Sequence, residues 1–221
     1  MKIIHILSGG LDSTVALYYL KQKHQIVAAL TFDYGQRHRR EIESAKKICK
    51  LLKLSHHIID ITNLNQFLQG SSLTTKKIAT PHGHYQKLTM KKTIVPNRNA
   101  TMINLAAGYA ISQKIFALSL GVHSGDHYIY PDCRPGFIKS QEKTLSLAND
   151  CKFNIITPFL HQDKAKIIQI GHELKVPFHL TWTCYEGGKK PCNKCGSCIE
   201  RKEAFRHNNL PDPLNSPISK Q

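Results

Sequence analysis

The chain has 221 residues, of which 41% are hydrophobic and 21% charged, a composition that is typical of a globular protein and excludes wholesale disorder. Lys and Arg outnumber Asp and Glu by 31 to 15, which gives a formal net charge of +16. The longest apolar stretch, residues 102–122, is interrupted by polar residues, and the N-terminal apolar run is too short for a secretory signal. We therefore expect a soluble cytoplasmic protein with no membrane partner.

Strand and helix signals alternate along most of the chain. Short apolar runs predict strands at residues 2–7, 25–32, 56–61, 116–122 and 154–157. Apolar residues at helical spacing predict helices at residues 13–21, 37–54, 100–113, 136–148 and 163–174. Strands separated by helices form βαβ units, so we predict a doubly wound α/β fold with a five-stranded parallel sheet. Ligands of such a sheet bind beyond the carboxyl ends of its strands.

The predicted domain organisation has three parts. Residues 1–182 form the α/β domain, and an irregular segment within it, about residues 62–97, is expected to be an active-site lid because long loops in compact domains are usually functional. From residue 183 the composition shifts to Cys, Gly and Lys, which predicts a small metal-binding module at 183–210. The remaining residues, 211–221, contain three prolines and are expected to be a disordered or loosely docked tail.

A glycine-rich motif lies between the first predicted strand and the first predicted helix, with the sequence Ser8-Gly9-Gly10-Leu11-Asp12-Ser13-Thr14. Its glycines allow backbone N–H groups to approach a phosphate, and the N-terminus of the helix adds its dipole. The motif lacks the Gly-Lys-Ser/Thr of a Walker loop, and the competing interpretation is a Gly-Gly turn with a capping serine. The predicted nucleotide-binding residues are Leu7, Ser8, Gly9, Gly10, Leu11, Asp12, Ser13, Thr14, Val15, Ala16 and Leu17.

Four of the seven cysteines are clustered near the C-terminus, at Cys184, Cys192, Cys195 and Cys198. Clustering of this kind in a non-exported chain favours a metal over disulfides. Four thiolates suit one tetrahedral zinc ion, and a site with four protein ligands is closed and therefore structural. An iron–sulfur cluster and a redox-active pair are the alternatives.

No acidic residue occurs between Asp60 and Asp126, whereas this interval contains Lys76, Lys77, Lys87, Lys91, Lys92, Arg98 and Lys114. Basic surfaces of this kind attract nucleic acids or smaller anions such as nucleotides. We expect small anionic substrates and no stable nucleic-acid partner. A second basic stretch, residues 37–53, also carries Glu41 and Glu43 and is typical of a solvated helix face.

The glycine-rich motif resembles the pyrophosphate loop of the ATP-pyrophosphatase superfamily, whose members cleave ATP between the α- and β-phosphates. More specifically, the chain resembles the 7-cyano-7-deazaguanine synthase family of the queuosine pathway. The matching stretches are residues 7–14, 31–38, 121–127, 130–135, 180–185, 192–198, 204–205 and 210–214, together with Arg201. One departure is Asn97, where the family pattern leads us to expect glycine; asparagine also tolerates left-handed backbone angles.

The resemblance implies an ATP-dependent carbon–nitrogen ligase that converts 7-carboxy-7-deazaguanine and ammonia into a nitrile, with Mg²⁺ and one structural Zn²⁺ per chain. It assigns catalytic roles to Asp12, Ser13 and Lys164, with a solvated helix lysine as the alternative for Lys164. Residues 31–38 are expected to lie near the adenosine half of ATP. The substrate-binding candidates are Arg98, Asp126, Asp132 and Arg134, with Tyr128 or Tyr130 stacking on the heterocycle and no role for Cys133.

Two other functions are compatible with parts of the sequence. One is a tRNA-modifying sulfurtransferase, or a related adenylating enzyme, on the same fold, which the positive charge favours. The other is a zinc-ribbon module that binds nucleic acid and carries a degenerate ATP loop. The sequence does not determine the oligomeric state, for which a homodimer is one alternative. It also leaves the source of the ammonia open.

Overall fold

The computed structural model describes residues 1–84 and 88–214, and its centre is one parallel sheet. The strands are β1 (Lys2–Ile6), β2 (Gln25–Asp33), β3 (Ser55–Asp60), β4 (Ala117–Ser119) and β5 (Asn154–Ile156). Their order across the sheet is β3-β2-β1-β4-β5, with every neighbouring pair parallel. The chain therefore winds outwards from β1 in both directions, and the predicted doubly wound fold is confirmed. The strand order reverses between β1 and β4, where a ligand crevice is expected.

The helices are α1 (Leu11–Lys21), α2 (Arg40–Leu51), α3 (Arg98–Ser112), α4 (Pro135–Ala148), α5 (Lys164–Glu173) and α6 (Gly196–His207). Every helix predicted from apolar spacing is present, whereas α6 was not predicted. Strand β4 ends earlier than its apolar run because Gly121 packs against α1. A Cβ atom at Gly121 would lie 2.6 Å from the Ser13 backbone, so the chain leaves the sheet where it meets that helix.

Both faces of the sheet are covered at its centre, which explains why β1 and β2 are buried without alternation. Successive side chains of a strand point to opposite faces, and Ile3 and Ile4 of β1 are both fully buried. Ile4 belongs to the apolar cluster that includes Ile103 of α3, while Ile3 belongs to the cluster that includes Ile48 of α2. This packing fixes the positions of the loops at the carboxyl edge of the sheet.

The irregular segment at residues 62–97 contains two short 3-10 helices, Thr62–Gln66 and Leu88–Thr93. The Arg37 guanidinium donates hydrogen bonds to three carbonyl oxygens of this segment, those of Thr75, Lys76 and Ile78. Residues 85–87 of the predicted lid, including the basic residue at position 87, lie outside the described residues. The lid role stays a prediction. None of the helices in the described part of the chain has the length and apolarity that a membrane crossing requires.

A buried ion pair holds residues 211–214 against α6. The guanidinium of Arg201 donates to both carboxylate oxygens of Asp212 at 2.9–3.1 Å and also to the hydroxyls of Thr181 and Thr183. Both charged side chains are at most 5% exposed. The expectation of a loosely docked tail is therefore wrong for residues 211–214, while residues 215–221 lie outside the described residues. The division between domains at residue 182 stays a prediction.

This pair gives a stability prediction. Asp212→Ala leaves the Arg201 guanidinium buried without its counter-charge, so we expect a loss of about 3 kcal/mol in the free energy of unfolding. Thermal denaturation should show a midpoint lowered by about 8 °C. Glu203→Ala removes an exposed carboxylate from the same helix and should leave the midpoint nearly unchanged. Equal midpoints for Asp212→Ala and the unmodified chain would contradict the assignment.

Candidate active site

The glycine-rich loop is preformed by hydrogen bonds between its own residues. The backbone N–H of Ser8 donates to Ser13 Oγ at 3.2 Å, and the two serine hydroxyls lie 2.9 Å apart. Gly9 has φ +86°, and a Cβ there would collide with the carbonyl oxygen of Glu41. Glycine is therefore required both by the left-handed angle and by the close approach of α2.

A buried histidine fixes the loop to the sheet. Nδ1 of His5, in β1, lies 2.8 Å from Ser119 Oγ in β4, and Nε2 lies 2.9 Å from the carbonyl oxygen of Ser13. Burial lowers the pKa of His5 to about 4, so its imidazole is neutral at pH 7. A neutral ring that donates from Nε2 and accepts at Nδ1 satisfies both contacts.

The loop opens onto a cavity at the carboxyl ends of β1, β2 and β4. Side chains from several separate parts of the chain line it, namely Ser8, Asp12, Ser13, Tyr34, Gln36, His38, Glu41, Arg98, Asp126, Tyr130, Cys133, Lys164, Trp182 and Tyr185. The location is the switch point of the doubly wound sheet, where the strand order reverses. Titratable groups are unusually dense in this cavity, which is typical of a catalytic site.

Lys164 is the centre of a buried charge cluster. Its ammonium lies 3.2 Å from Asp12 Oδ2 and 2.7 Å from Glu200 Oε2, and the side chain is 6% exposed. Burial disfavours the charge, yet the carboxylates of Asp12 and Glu200 outweigh it and raise the pKa of Lys164. His123 Nε2 lies 3.8 Å from Asp12 Oδ2. The interpretation of Lys164 as a solvated helix lysine is therefore wrong.

Asp12 stays ionised in this cluster. Burial opposes its charge, but the attraction of Lys164 and His123 lowers the pKa of the carboxyl below its usual value. Its second oxygen, Oδ1, is buried and has no hydrogen-bond partner among the described residues. An anionic oxygen in that position is suited to a ligand that supplies positive charge.

Arg98 forms the opposite wall of the cavity. Its guanidinium carbon lies 5.9 Å from the ring centre of Tyr34 and 5.8 Å from that of Tyr130. Burial opposes the charge of Arg98, but the two tyrosines and Asp132 outweigh it and raise the pKa of the guanidinium above its usual value. Asn97, directly before α3, adopts φ 53°, so the expected left-handed turn is retained without glycine.

The four clustered cysteines converge on one point. The Sγ atoms of Cys184, Cys192, Cys195 and Cys198 all lie within 4.8 Å of one another. Backbone N–H groups of Cys192 and Cys195 donate to the sulfurs of Cys184 and Cys192, both at 3.3 Å. Such bonds stabilise thiolates, and four converging thiolates fit a metal ion.

Comparison with known proteins agrees with this geometry. A protein-family model described as "Queuosine biosynthesis protein QueC" matches residues 2–209. The chain belongs to this family. The 7-cyano-7-deazaguanine synthase of Psychromonas ingrahamii is 47% identical over 213 residues, which cover 96% of each chain. The protein of the same name from Hahella chejuensis is 47% identical over 213 residues, with 96% of this chain and 92% of the relative covered. The family and the queuosine-pathway enzyme predicted from the motifs are confirmed.

Solved structures agree with the fold. A structure described as a predicted subunit of tRNA methyltransferase from Methanocaldococcus jannaschii has a TM-score of 0.51 at 17% identity, with 100% of this chain and 94% of that chain covered. NMN synthetase from Francisella tularensis has a TM-score of 0.51 at 13% identity, with 95% and 77% covered. At these identities the similarity concerns the fold alone, and the family match disfavours both alternative functions.

The QueC-family chain places most of the predicted loop residues at the cavity. Leu7, Ser8, Gly10, Leu11, Asp12 and Ser13 line it. By contrast, the side chains of Val15, Ala16 and Leu17 are fully buried in the apolar clusters beneath α1. Thr14 is also fully buried and donates to the Gly10 carbonyl oxygen at 2.7 Å. These four residues support the loop from behind.

The predicted substrate residues divide into two groups. Arg98, Asp126 and Tyr130 line the cavity. Asp132 instead accepts a hydrogen bond at 3.1 Å from the backbone N–H of Asn99, at the start of α3. Arg134 is exposed and donates to the His127 carbonyl oxygen, and Tyr128 is 52% exposed. The structure therefore brings neither Arg134 nor Tyr128 to the cavity wall.

Two carboxylates of this site were not predicted from the sequence. Glu200 lies on α6, the helix that was missed, and Glu41 lies in the stretch interpreted as a solvated helix face. That interpretation is wrong for Glu41, which lines the cavity, and holds for exposed Glu43. Burial raises the pKa of Glu41 to about 8, against the attraction of Arg98. The available signal was the position of Glu41 in the first turn of a helix that follows a strand end.

Proposed function

We propose that this chain converts 7-carboxy-7-deazaguanine and ammonia into 7-cyano-7-deazaguanine at the expense of ATP, through two successive adenylations. The observation that carries the proposal is the family match over residues 2–209. The preformed loop, Asp12 and Lys164, which line one cavity, support it. Free ammonia or a separate donor supplies the nitrogen.

The glycine-rich loop holds the phosphates of ATP. Ser8, Gly10 and Ser13 line the cavity at the N-terminus of α1, where anions are favoured. Lys164 adds a buried positive charge beside them. Tyr34 and Gln36 follow β2 and line the same cavity, which supports a contact between this stretch and the adenosine half of ATP.

Magnesium fits the donor set on the same side. Mg²⁺ prefers carboxylate oxygens and substrate phosphates, and Asp12 Oδ1 is a buried oxygen without a hydrogen-bond partner among the described residues. Asp12 would hold the ion against the phosphates, where it supplies charge neutralisation. Asp12 also keeps Lys164 oriented through its other oxygen.

The deazapurine binds against the opposite wall. Arg98 pairs with the substrate carboxylate before activation, because a guanidinium can donate two parallel hydrogen bonds to a carboxylate. Asp126 accepts from ring or amino N–H groups, and the ring of Tyr130 packs against the heterocycle. Asp132 does not contact the deazapurine and instead fixes the start of α3 by accepting a hydrogen bond from the backbone N–H of Asn99.

The reaction begins when a carboxylate oxygen of the substrate attacks the α-phosphorus and pyrophosphate leaves into the loop. Lys164 stabilises the charge that develops on the phosphoryl oxygens. Ammonia then attacks the acyl carbon and displaces AMP, which gives the amide. The amide oxygen then attacks the α-phosphorus of a second ATP and pyrophosphate leaves. Loss of AMP and two N–H protons from that adduct gives the nitrile.

The metal at the cysteine cluster is proposed to be zinc, with one structural ion per chain. Four thiolates leave no open coordination position, so the ion orders the chain and does not react. Cys195 and Cys198 stand at the start of α6, which carries Glu200 to Lys164. The zinc site therefore supports the catalytic lysine from a distance.

Metal analysis tests this assignment. We expect about one zinc per purified chain, with the content falling close to zero in Cys195→Ser. Cys49→Ser, which changes a buried cysteine outside the cluster, should retain the metal. An iron chromophore in anaerobically prepared protein without zinc would contradict the proposal.

The function itself is tested by product analysis. The protein is incubated with ATP, ammonium and 7-carboxy-7-deazaguanine, and in parallel with ATP and unfractionated tRNA at physiological salt. We expect a product with the mass of the nitrile in the first mixture and unmodified RNA in the second. Modified tRNA without nitrile would reject the proposal in favour of a tRNA-modifying enzyme.

A further inference from the structure

Glu41 lines the cavity between the phosphate loop and the wall formed by Arg98. The first turn of α2 packs directly on the phosphate loop, since the Glu41 carbonyl oxygen fills the space over Gly9. The side chain is 16% exposed and lines the cavity. A Cβ built on Gly10 would be 3.5 Å from Glu41 Oε1. The carboxyl group therefore borders the phosphate site on one side and faces Arg98 across the cavity.

The carboxylates near the phosphate loop are not equivalent. Asp12 and Glu200 are both paired with the ammonium of Lys164. Within the described residues, the nearest ion-pair partner of Glu41 is His38, whose Nε2 lies 3.5 Å from Oε2. Burial lowers the pKa of His38 to about 3, so this imidazole is neutral at pH 7 and adds no positive charge beside the Glu41 carboxyl group.

Several charged or titratable groups face Glu41 from the surrounding elements, namely His38 before α2, Asp12 on α1, Tyr34 after β2, Arg98 on α3 and Lys164 on α5. Burial is the largest influence and raises the pKa of Glu41, Asp12 raises it further, and Arg98 and Lys164 oppose them. The resulting pKa is about 8, so the ionised Glu41 carboxylate is a much stronger base than an ordinary glutamate.

We propose that Glu41 is the general base of nitrogen transfer, an inference that rests on the proposed function. When ammonia forms its bond to the acyl carbon, the bond from that carbon to AMP breaks and one N–H proton passes to the Glu41 carboxylate. In the second round the adenylated amide loses AMP, the nitrogen lone pairs complete the triple bond, and the N–H protons leave to the same carboxylate in turn. Solvent takes each proton away between the steps.

The matched variants are Glu41→Gln and Glu43→Gln, which change the same residue type two positions apart on α2. Glu43 is exposed and pairs with Lys46 on the surface. The first readout is exchange of labelled pyrophosphate into ATP in the presence of 7-carboxy-7-deazaguanine, which reports adenylation alone. The second readout is formation of amide and nitrile.

Glu41→Gln should keep pyrophosphate exchange within about 3-fold of the unmodified protein while nitrogen transfer falls about 100-fold or more. Retained exchange also shows that the variant is folded. Glu43→Gln should leave both readouts unchanged. Equal losses of exchange and nitrogen transfer in Glu41→Gln, or normal nitrogen transfer, would overturn the proposal. Absence of substrate-dependent exchange in the unmodified protein would instead reject the proposed function.

The pH dependence supplies a second readout. With the amide and ATP as substrates no ammonia is needed, so the titration of ammonium does not contribute. The single-turnover rate of nitrile formation should rise as pH increases through about 8, since the base is active when ionised. Glu41→Gln should lack this rise. An unchanged rise in the variant would assign the titration to another group and overturn the proposal.

Discussion

Lys164→Met is expected to lower the rate of nitrile formation about 1,000-fold, because a preorganised positive charge at a developing phosphoryl charge is removed. The same change leaves Asp12 and Glu200 buried without their shared cation, so we also expect a lower midpoint of thermal denaturation. Lys164→Arg keeps the positive charge but changes its geometry. Compared with Lys164→Met, it should recover more of the thermal stability than of the rate of nitrile formation.

The control is Lys166→Met, which removes an exposed lysine from the same helix and contacts neither carboxylate. It should leave both rate and stability unchanged. Steady-state nitrile formation by Lys164→Met and Lys166→Met is compared at saturating ATP and ammonia. A rate for Lys164→Met within a few-fold of the control would remove Lys164 from the phosphate site.

The second large effect is expected in the phosphate loop. Asp12→Ala removes the free buried oxygen and one partner of Lys164, and Ser13→Ala removes the hydroxyl that binds Ser8. Each should reduce turnover about 100-fold to 1,000-fold. Asp12 would hold Mg²⁺ and orients Lys164 beside the reacting phosphates, and Ser13 offers them a hydroxyl. Asp60→Asn changes an exposed carboxylate at the end of β3, outside the cavity, and serves as the control.

Turnover of these three variants is measured alongside far-UV circular dichroism, which reports whether the fold is kept. Asp60→Asn should match the unmodified chain in both measurements. If Asp12→Ala and Ser13→Ala both remain within two-fold of unmodified turnover, the loop does not hold the phosphates and the assignment fails.

The fold was largely predictable because local patterns determine it. Each apolar run became a strand, and each helix began within three residues of its expected position. The exceptions have tertiary causes. Strand β4 is short because Gly121 packs against α1. Helix α6 was not predicted because the clustered cysteines and lysines gave no clear apolar period, although its buried face includes Ala204 and Phe205.

The site was predictable where chemistry follows a motif. The loop, the cysteine cluster and Lys164 all carry such signals. Glu41 and Glu200 do not, because a glutamate on a helix is normally solvated and only packing shows that these two side chains are mostly removed from solvent. Arg134 and Tyr128 show the opposite error, since their motif passes beside the cavity while the side chains point elsewhere.

The central claim, that both oxygen atoms of the substrate carboxylate leave on AMP, can be measured directly. The protein is incubated with 7-carboxy-7-deazaguanine carrying ¹⁸O in both carboxylate positions, together with unlabelled ATP and ammonium, and the AMP is analysed by mass spectrometry. Two adenylations predict that every AMP coupled to nitrile formation carries one ¹⁸O atom, because each carbon–oxygen bond breaks with its oxygen attached to phosphorus. Nitrile formation accompanied by unlabelled AMP, or by ADP and labelled inorganic phosphate, would contradict the account.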